Sequence, residues 1–386
     1  MNILFIANGN GENAIAARIA DSLMEAAAGP LRLELLSLVG LGTSVGTLAV
    51  VGPRRVLPSG GLVAMGNVRA FARDLVAGFP ALLCAQLAFL RRARGRYAAV
   101  VAVGDAYALG LALLTEGKPI FVGTAKSVFV APYGAFERHL LRRAATVYVR
   151  DEPTARDLTA HGVRAEAPGN VIADLARPEP PALPGTWLGL LPGSRENAYV
   201  DAVRLAQVAR ALAARRPDIG ALLSVAPSLD VARLITALHD DEWTIEPGRS
   251  PRAQGPVSFE ARAGAARLVG WAGSLGALFA AACVVLGQAG TANEQAAACG
   301  LPVVALAGTG KREDWYRMRQ RRLLGDALLL VPAEPEAAAA ALEALLADLE
   351  RMRAMREAGR RRIGPPGGGD RIARGILSVA RNRAAC

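Results

Sequence analysis

Apolar residues in this chain fall into short unbroken runs, each ended by a small-residue turn and followed by a longer amphipathic stretch. "ILFIAN" (3–8) leads through "GNGEN" (9–13) into "AIAARIADSLMEAAA" (14–28). "AAVVAVG" (98–104) precedes "DAYALGLALLT", "PIFVG" (119–123) precedes a loop, and "TVYVR" (146–150) precedes "DEPTARDLTAHG". Runs without polar alternation predict strands covered on both faces, as in parallel sheets. Their alternation with helix-length segments predicts a doubly wound α/β fold. Prolines crowd "ADLARPEPPALPG" (173–185), which reads as a linker. The cycle then restarts with "TWLGLLPG", "AYVDAVRLAQVARALAARR" and "GALLSV", followed by "CVVLG" (283–287), "LPVVALAG" (301–308) and "ALLLV" (327–331). The expected organisation is an N-terminal Rossmann-like domain over 1–172, a linker over 173–185, a C-terminal Rossmann-like domain over 186–360, and a tail helix within 361–386 after "PPGGG".

Composition narrows the function classes. A chain of 386 residues exceeds the usual single core, and 52% hydrophobic with 20% charged residues is globular material. The 45 Lys and Arg outnumber 34 Asp and Glu, giving +11 and favouring an anionic partner. Nucleic acid is a poor candidate, because the arginines are dispersed and aromatics reach only 5%, with no stacking motif. The four cysteines show no C-x-x-C spacing, which predicts neither a disulfide framework nor a zinc site and favours a reducing, cytoplasmic setting. His139, His161 and His239 have no metal-ligand spacing, so no metal is expected. The start lacks a signal peptide's basic and apolar regions. "FARDLVAGFPALLCAQLAFLRRARGR" (71–96) is too interrupted to span a bilayer but ends in Arg91, Arg92, Arg94 and Arg96. It is a candidate for lying on an anionic membrane surface, with a core helix as the alternative.

Two strand-to-helix loops carry candidate chemistry. In "LLPGSREN" (190–197), Gly193 lets the backbone approach a ligand, Ser194 can donate, and Arg195 can pair with phosphate oxygens. In "GQAGTANEQ" (287–295), Gly290 and Thr291 open a helix, and Glu294 or Gln295 is placed to accept bonds from ribose hydroxyls. Ordinary capped turns are the alternative for both. Neither loop matches the Walker pattern, and "GNGENA" fits the dinucleotide fingerprint only with Ala14 in its last position.

Taken with "LPSGG" (57–61), "VGDAY" (103–107), "FVGTAKS" (121–127), "RDEPTARDL" (150–158), "GNVIAD" (169–174) and "RQRRLLGDALLLV" (319–331), these loops resemble the lipid-A-disaccharide-synthase-related group of GT-B glycosyltransferases. The matches run from residue 3 to about 331. The resemblance implies two Rossmann-like domains facing a cleft, and an inverting, metal-independent hexosyltransferase that needs no cofactor. A UDP-sugar would be donor and a lipid-linked acceptor would be glycosylated at the inner face of the membrane. Gly193, Ser194 and Arg195 match the group's diphosphate loop, and Thr291 its helix start. Counting back from Pro302 places the ribose contact at Gln295 rather than Glu294, a departure from the group's glutamate. "VGDAY" puts Asp105 forward as general base, with a helix N-cap as the other reading. Gly9, Gly11, Glu12 and Lys126 are the acceptor-side candidates, although "NGNGEN" keeps only the Gly11-Glu12 pair of the group's loop. The alternative on the same scaffold is a UDP-N-acetylglucosamine 2-epimerase-like enzyme, whose "GG-x-x-E-E" type loop is matched here only by Thr291 and one glutamate.

Overall fold

The computed structural model describes residues 1–40, 46–57, 68–175, 179–246, 256–308 and 310–384. Residues 58–61 of "LPSGG" lie outside them, as does the "AR" at 176–177 of the proline-rich segment. The chain forms two compact units, Met1–Leu175 with Pro365–Cys386, and Ala176–Gly364.

The first unit is built on a parallel sheet of β1 (Asn2–Ala7), β2 (Arg32–Ser37), β3 (Ala49–Val50), β4 (Ala99–Gly104), β5 (Ile120–Gly123), β6 (Thr146–Val149) and β7 (Ala165–Glu166). Their order is β3-β2-β1-β4-β5-β6-β7. Every residue of β4 and β5 is buried, which explains their unbroken apolar composition. One face packs on helices Asn10–Ala26 and Gly368–Ala384 through Ile15, Ile19, Leu23, Ile372 and Ile376. The other face packs on helices Phe79–Arg92, Ala106–Ala112 and Glu152–Ala160 through Leu82, Leu90, Leu109 and Leu158.

The apolar stretch 71–96 is accordingly two helices, Val68–Val76 and Phe79–Arg92, parted at Ala77-Gly78. The second turns Phe79, Leu82, Gln86 and Leu90 into the core, and the Gln86 amide donates to the carbonyl of Leu38. Arg91 and Arg92 remain exposed at its end. Among the described residues no helix is long and apolar enough to cross a membrane.

The second unit carries β8 (Thr186–Leu191), β9 (Ile219–Ser224), β10 (Thr244–Ile245), β11 (Val257–Ala263), β12 (Ala266–Trp271), β13 (Ala282–Gly287), β14 (Val303–Leu306) and β15 (Leu328–Val331). Their order is β10-β11-β12-β9-β8-β13-β14-β15. The strands from β12 to β15 pair in parallel, while β11 pairs antiparallel to both of its neighbours. Helix Ala198–Arg215 supplies much of this core through Ala202, Leu205, Val208 and Leu212.

Both units are therefore Rossmann-like α/β domains. The C-terminal segment departs from its expected role as a tail following the second domain, because it returns to the first unit. Asp174 anchors it, accepting from the backbone N–H of Gly367 and of Gly369, the latter at 2.6 Å. Arg18 and Ser22 bind the Asp370 carboxylate at 3.1 and 2.6 Å. Residues 173–175, expected in the linker, instead finish helix Val171–Leu175.

Ile376 is fully buried in the first unit, whereas all four tryptophans lie in the second. Ile376→Ala should cost about 2–5 kcal/mol through transfer and cavity terms. In urea titrations the far-UV circular dichroism transition should move to lower denaturant, and the tryptophan-fluorescence transition should move far less.

Candidate functional site

In the second unit the strand order reverses direction between β8 and β13. The next strand after β8 is β9 on one side, and the next after β13 is β14 on the other. Open α/β sheets bind ligands beyond the carboxyl ends of strands at such a switch point. Both loops singled out from the sequence emerge there. The backbone N–H groups of Gln288 and Ala289 both donate to the carbonyl of Leu191, at 2.9 and 3.1 Å. Gly193 takes φ +106°, in the region that favours glycine.

Ser194 and Arg195 are exposed, and Arg195 makes no ion pair among the described residues. The helix expected over "AYVDAVRLAQVARALAARR" begins at Ala198, three residues after Arg195. The intervening turn is closed by Ala198 N–H to the Arg195 carbonyl at 2.8 Å and by the Ser228 hydroxyl to the Ser194 carbonyl at 2.8 Å. Glu196 pairs with Arg233, whose guanidinium lies 4.0 Å from the Tyr199 ring centre. That hydrogen-bonded pairing holds the exposed Glu196 carboxyl below its usual range.

Gly290 precedes helix Thr291–Ala298, whose first amides lack intrahelical acceptors. Thr291 is half-buried, while Glu294 and Gln295 are both buried. Three further residues, not singled out from the sequence, set the geometry of this loop. The Asn293 amide donates to the Gly287 carbonyl at 3.0 Å and to Gln320 Oε1 at 3.2 Å. Gln320 Nε2 donates to the carbonyls of Ala289 and Gly290 at 2.9 and 3.2 Å, and Arg317 Nη1 to that of Gln288 at 3.1 Å. The loop's carbonyls are thus held by three side chains, two of them from helix Lys311–Leu324. Asn293 Oδ1, Gln288 Oε1 and Arg317 Nε are buried without a hydrogen-bond partner, which is unusual for polar atoms away from a ligand site. Burial lifts the Asp201 carboxyl to about 6, against the opposing pull of Arg317 and Arg204.

The first unit has its own switch point, between β1 and β4. Asp105 follows β4 and caps helix Ala106–Ala112, its Oδ1 accepting from the N–H groups of Tyr107 and Ala108 at 3.0 and 3.1 Å. Its Oδ2 accepts from the Asn8 amide at 2.9 Å. Glu12, in the first turn after Gly9, lies across the same corner. A Cβ on Gly104 would stand 2.8 Å from Glu12 Cγ, and one on Gly9 2.8 Å from Glu12 Oε2. Gly11 is half-buried beside it in the same turn. Lys126 is ion-paired with Glu137 at 2.6 Å and sits 5.7 Å from the Tyr133 ring centre.

Asn8 Oδ1, Tyr107 OH, Thr124 Oγ1 and Tyr133 OH are buried without partners around the ends of these strands. Burial, and secondarily Asp105, pushes the Tyr107 hydroxyl to about 12, so it is a donor at neutral pH. The structure therefore brings Glu12 and Asp105 together with Asn8 and Tyr107, which the sequence did not single out. The Lys126 charge is matched within its own loop region. Among the described residues no group of His, Cys, Asp and Glu is arranged to hold a metal ion.

No family model and no curated protein matches the chain significantly. Solved structures match it over nearly its whole length at low identity. The UDP-GlcNAc 2-epimerase of Methanocaldococcus jannaschii in complex with UDP-GlcNAc and UDP is 14% identical, over 98% of this chain and 100% of that one, at a TM-score of 0.53. S. aureus MnaA in a co-structure with UDP is 12% identical over 99% and 97%, at 0.60. The spinosyn forosaminyltransferase SpnP is 15% identical over 98% and 99%, at 0.56. These likenesses establish the GT-B fold.

Asp201 supplies a test of the loop's electrostatics. Its folded-state pKa lies above the ordinary carboxylate value, so the folded unit holds this proton more tightly than the unfolded chain. The associated stability is present below about pH 4 and is lost as the pH rises to about 6. Asp201→Asn should therefore match the wild type near pH 4 and exceed it by on the order of 1–3 kcal/mol at pH 7. Urea unfolding followed by tryptophan emission, which reports this unit alone, measures the difference.

Proposed function

We propose that the protein is an enzyme acting on a UDP-sugar, with the diphosphate held in the second unit by the Gly193-Ser194-Arg195 loop and the Gly290-Thr291 helix start. The observation that carries this reading is the convergence of the two loops at the β8/β13 switch point. Unsatisfied helix amides and the exposed Arg195 guanidinium suit phosphate oxygens. Glu294 or Gln295, buried one turn into the same helix, is the ribose contact. UDP in the structures of two neighbours supports the nucleotide.

The first reading for the reaction is 2-epimerisation of UDP-N-acetylglucosamine, supported by the full-length likeness to the M. jannaschii epimerase. Inverting C2 requires a proton to leave one face of the sugar and another to arrive on the opposite face. Glu12 and Asp105, carboxylates at the ends of adjacent strands, are the groups in the first unit suited to proton transfer. Glycosyl transfer to a lipid-linked acceptor at a membrane face is the second reading. It is supported by the motif resemblance, by the forosaminyltransferase neighbour, and by Gln295 standing where the epimerase loop has a second glutamate. Asp105 then takes the proton of the acceptor hydroxyl as the anomeric carbon is attacked.

Incubation with UDP-N-acetylglucosamine in D2O separates the reactions. Epimerisation breaks and remakes the C2–H bond, so deuterium enters the nucleotide sugar with no acceptor present. Transfer leaves the donor unlabelled and releases UDP only when membrane lipid extract is added. Binding of neither the UDP-sugar nor UDP in calorimetry would overturn the proposal itself.

Two variants probe the assignment. Arg195→Ala should weaken UDP binding roughly 10–100-fold, the value of a charge-assisted hydrogen bond, with an unchanged melting temperature. Asp105→Asn keeps the cap, so stability should shift by less than about 1 kcal/mol. Turnover should fall roughly 10²–10⁴-fold with UDP affinity unaltered.

A further inference from the structure

Helix Lys311–Leu324 holds the 288–290 loop with one side and is exposed on the other. Arg317 and Gln320 reach the loop's carbonyls, and Leu324 is fully buried. Trp315, Met318, Arg319 and Arg322 follow at helical i, i+3, i+4 and i+7 spacing, so they form a separate stripe. Trp315 is 50% exposed, Tyr316 42% and Met318 48%. The other three tryptophans, Trp187, Trp243 and Trp271, are at most 6% exposed. Trp315 and Met318 on this stripe, with Tyr316 at its edge, are large apolar side chains left exposed beside Arg319 and the exposed Arg322, with the exposed Arg321 further round the helix, and they need an explanation outside folding.

The chemistry of the stripe identifies its occupant. Tryptophan and tyrosine are amphipathic and concentrate where hydrocarbon meets headgroups. Arginines beside them match anionic headgroups in charge. A nucleic acid would use open aromatic faces for base stacking. Here Trp315 packs edge-on against Tyr316 at 5.0 Å between ring centres, and the Arg319 guanidinium lies 5.6 Å from the Trp315 ring centre. The rings are engaged with their neighbours, which suits a wedge in the interface better than a stacking platform.

We propose that the exposed face of helix Lys311–Leu324 docks on an anionic phospholipid surface, with Trp315, Tyr316 and Met318 entering the headgroup region and Arg319, Arg321 and Arg322 pairing with lipid phosphates. This surface is distinct from helix Phe79–Arg92 of stretch 71–96, which turns Phe79, Leu82 and Leu90 into the core, and it does not depend on which reaction the enzyme runs.

Trp315, as the one half-exposed tryptophan, reports on this face directly. The full chain is titrated with vesicles of phosphatidylcholine alone or with phosphatidylglycerol, and with brominated acyl chains as quenchers. Emission should shift to shorter wavelength and be quenched only with anionic vesicles, and added salt should reverse the effect. Each basic residue near an anionic surface contributes about fivefold to binding. The triple variant Arg319→Ser, Arg321→Ser, Arg322→Ser should therefore bind on the order of 100-fold more weakly by co-sedimentation. Trp315→Ala with Tyr316→Ala should also lose most sedimentation. Arg321→Glu, a single exposed change, repeats the charge test if the multiple variants misfold.

No sedimentation, equal binding to neutral vesicles, or sedimentation with unchanged Trp315 emission would overturn the proposal, the last by assigning contact to another face. A shift of Trp315 emission by a DNA oligonucleotide at concentrations below those of vesicles would make the face a nucleic-acid surface. A concentration-dependent dimer abolished by Trp315→Ala would make it a self-association surface. Either result would also overturn the proposal.

Discussion

The carbonyl of Leu191 accepts two amides, from Gln288 and Ala289, and the arrangement of the second unit's site follows from that contact. Right-handed crossovers send the chain from β8 toward β9 and from β13 toward β14 on opposite sides of the sheet. The two loops must part where these strands end, and parting leaves backbone amides without partners. The Leu191 carbonyl fixes how far they separate. Gly193 supplies the left-handed turn on one side, and Asn293, Arg317 and Gln320 hold the carbonyls on the other. Ser194 and Arg195 are left exposed at this end of the sheet, beside the first turn of helix Thr291–Ala298.

The first unit solves its switch point differently. Its two loops are joined by side chains, Asn8 to Asp105, and the glycines at 9 and 104 make room for Glu12 to lie across both. The result is a carboxylate pair among buried hydroxyl and amide groups that lack internal partners. Such a corner costs stability unless a hydrogen-bonding ligand or water completes it. One unit thus presents donors and positive charge, while the other presents acceptors and hydroxyls.

Much of this was legible in the sequence because buried parallel strands leave a plain mark: "VVAVG" and "VVLG" tolerate no polar residue on either face. The glycine loops were legible for the same reason, since each had to sit at the carboxyl end of such a strand. Arg317 and Gln320 were not. "KREDWYRMRQRRLL" reads as a solvated helix, and nothing local distinguishes an arginine that reaches a carbonyl from one that reaches water. The docking of the last helix is hidden for a related reason. The stripe of Ile372, Ala373, Ile376, Leu377 and Ala380 is visible after "PPGGG", but periodicity says only that a face is apolar, not which core it joins. Its partners, Ile15 and Ile19, lie more than three hundred residues upstream.

That return of the last helix has a consequence for how the protein is made. As the chain leaves the ribosome, the first 175 residues emerge with all seven strands of their sheet but without the helix that covers Ile15, Ile19 and Leu23. At roughly 5–20 residues per second, the remainder takes about 10–40 s to synthesise. Throughout that interval the first domain is an incomplete core with a bare apolar face, while the second can close on itself as soon as Gly364 clears the exit tunnel. The domain begun first is therefore finished last. Until helix Gly368–Ala384 is made, the apolar surface of helix Asn10–Ala26 stays uncovered, so a break within that late helix exposes the core of the unit made earliest.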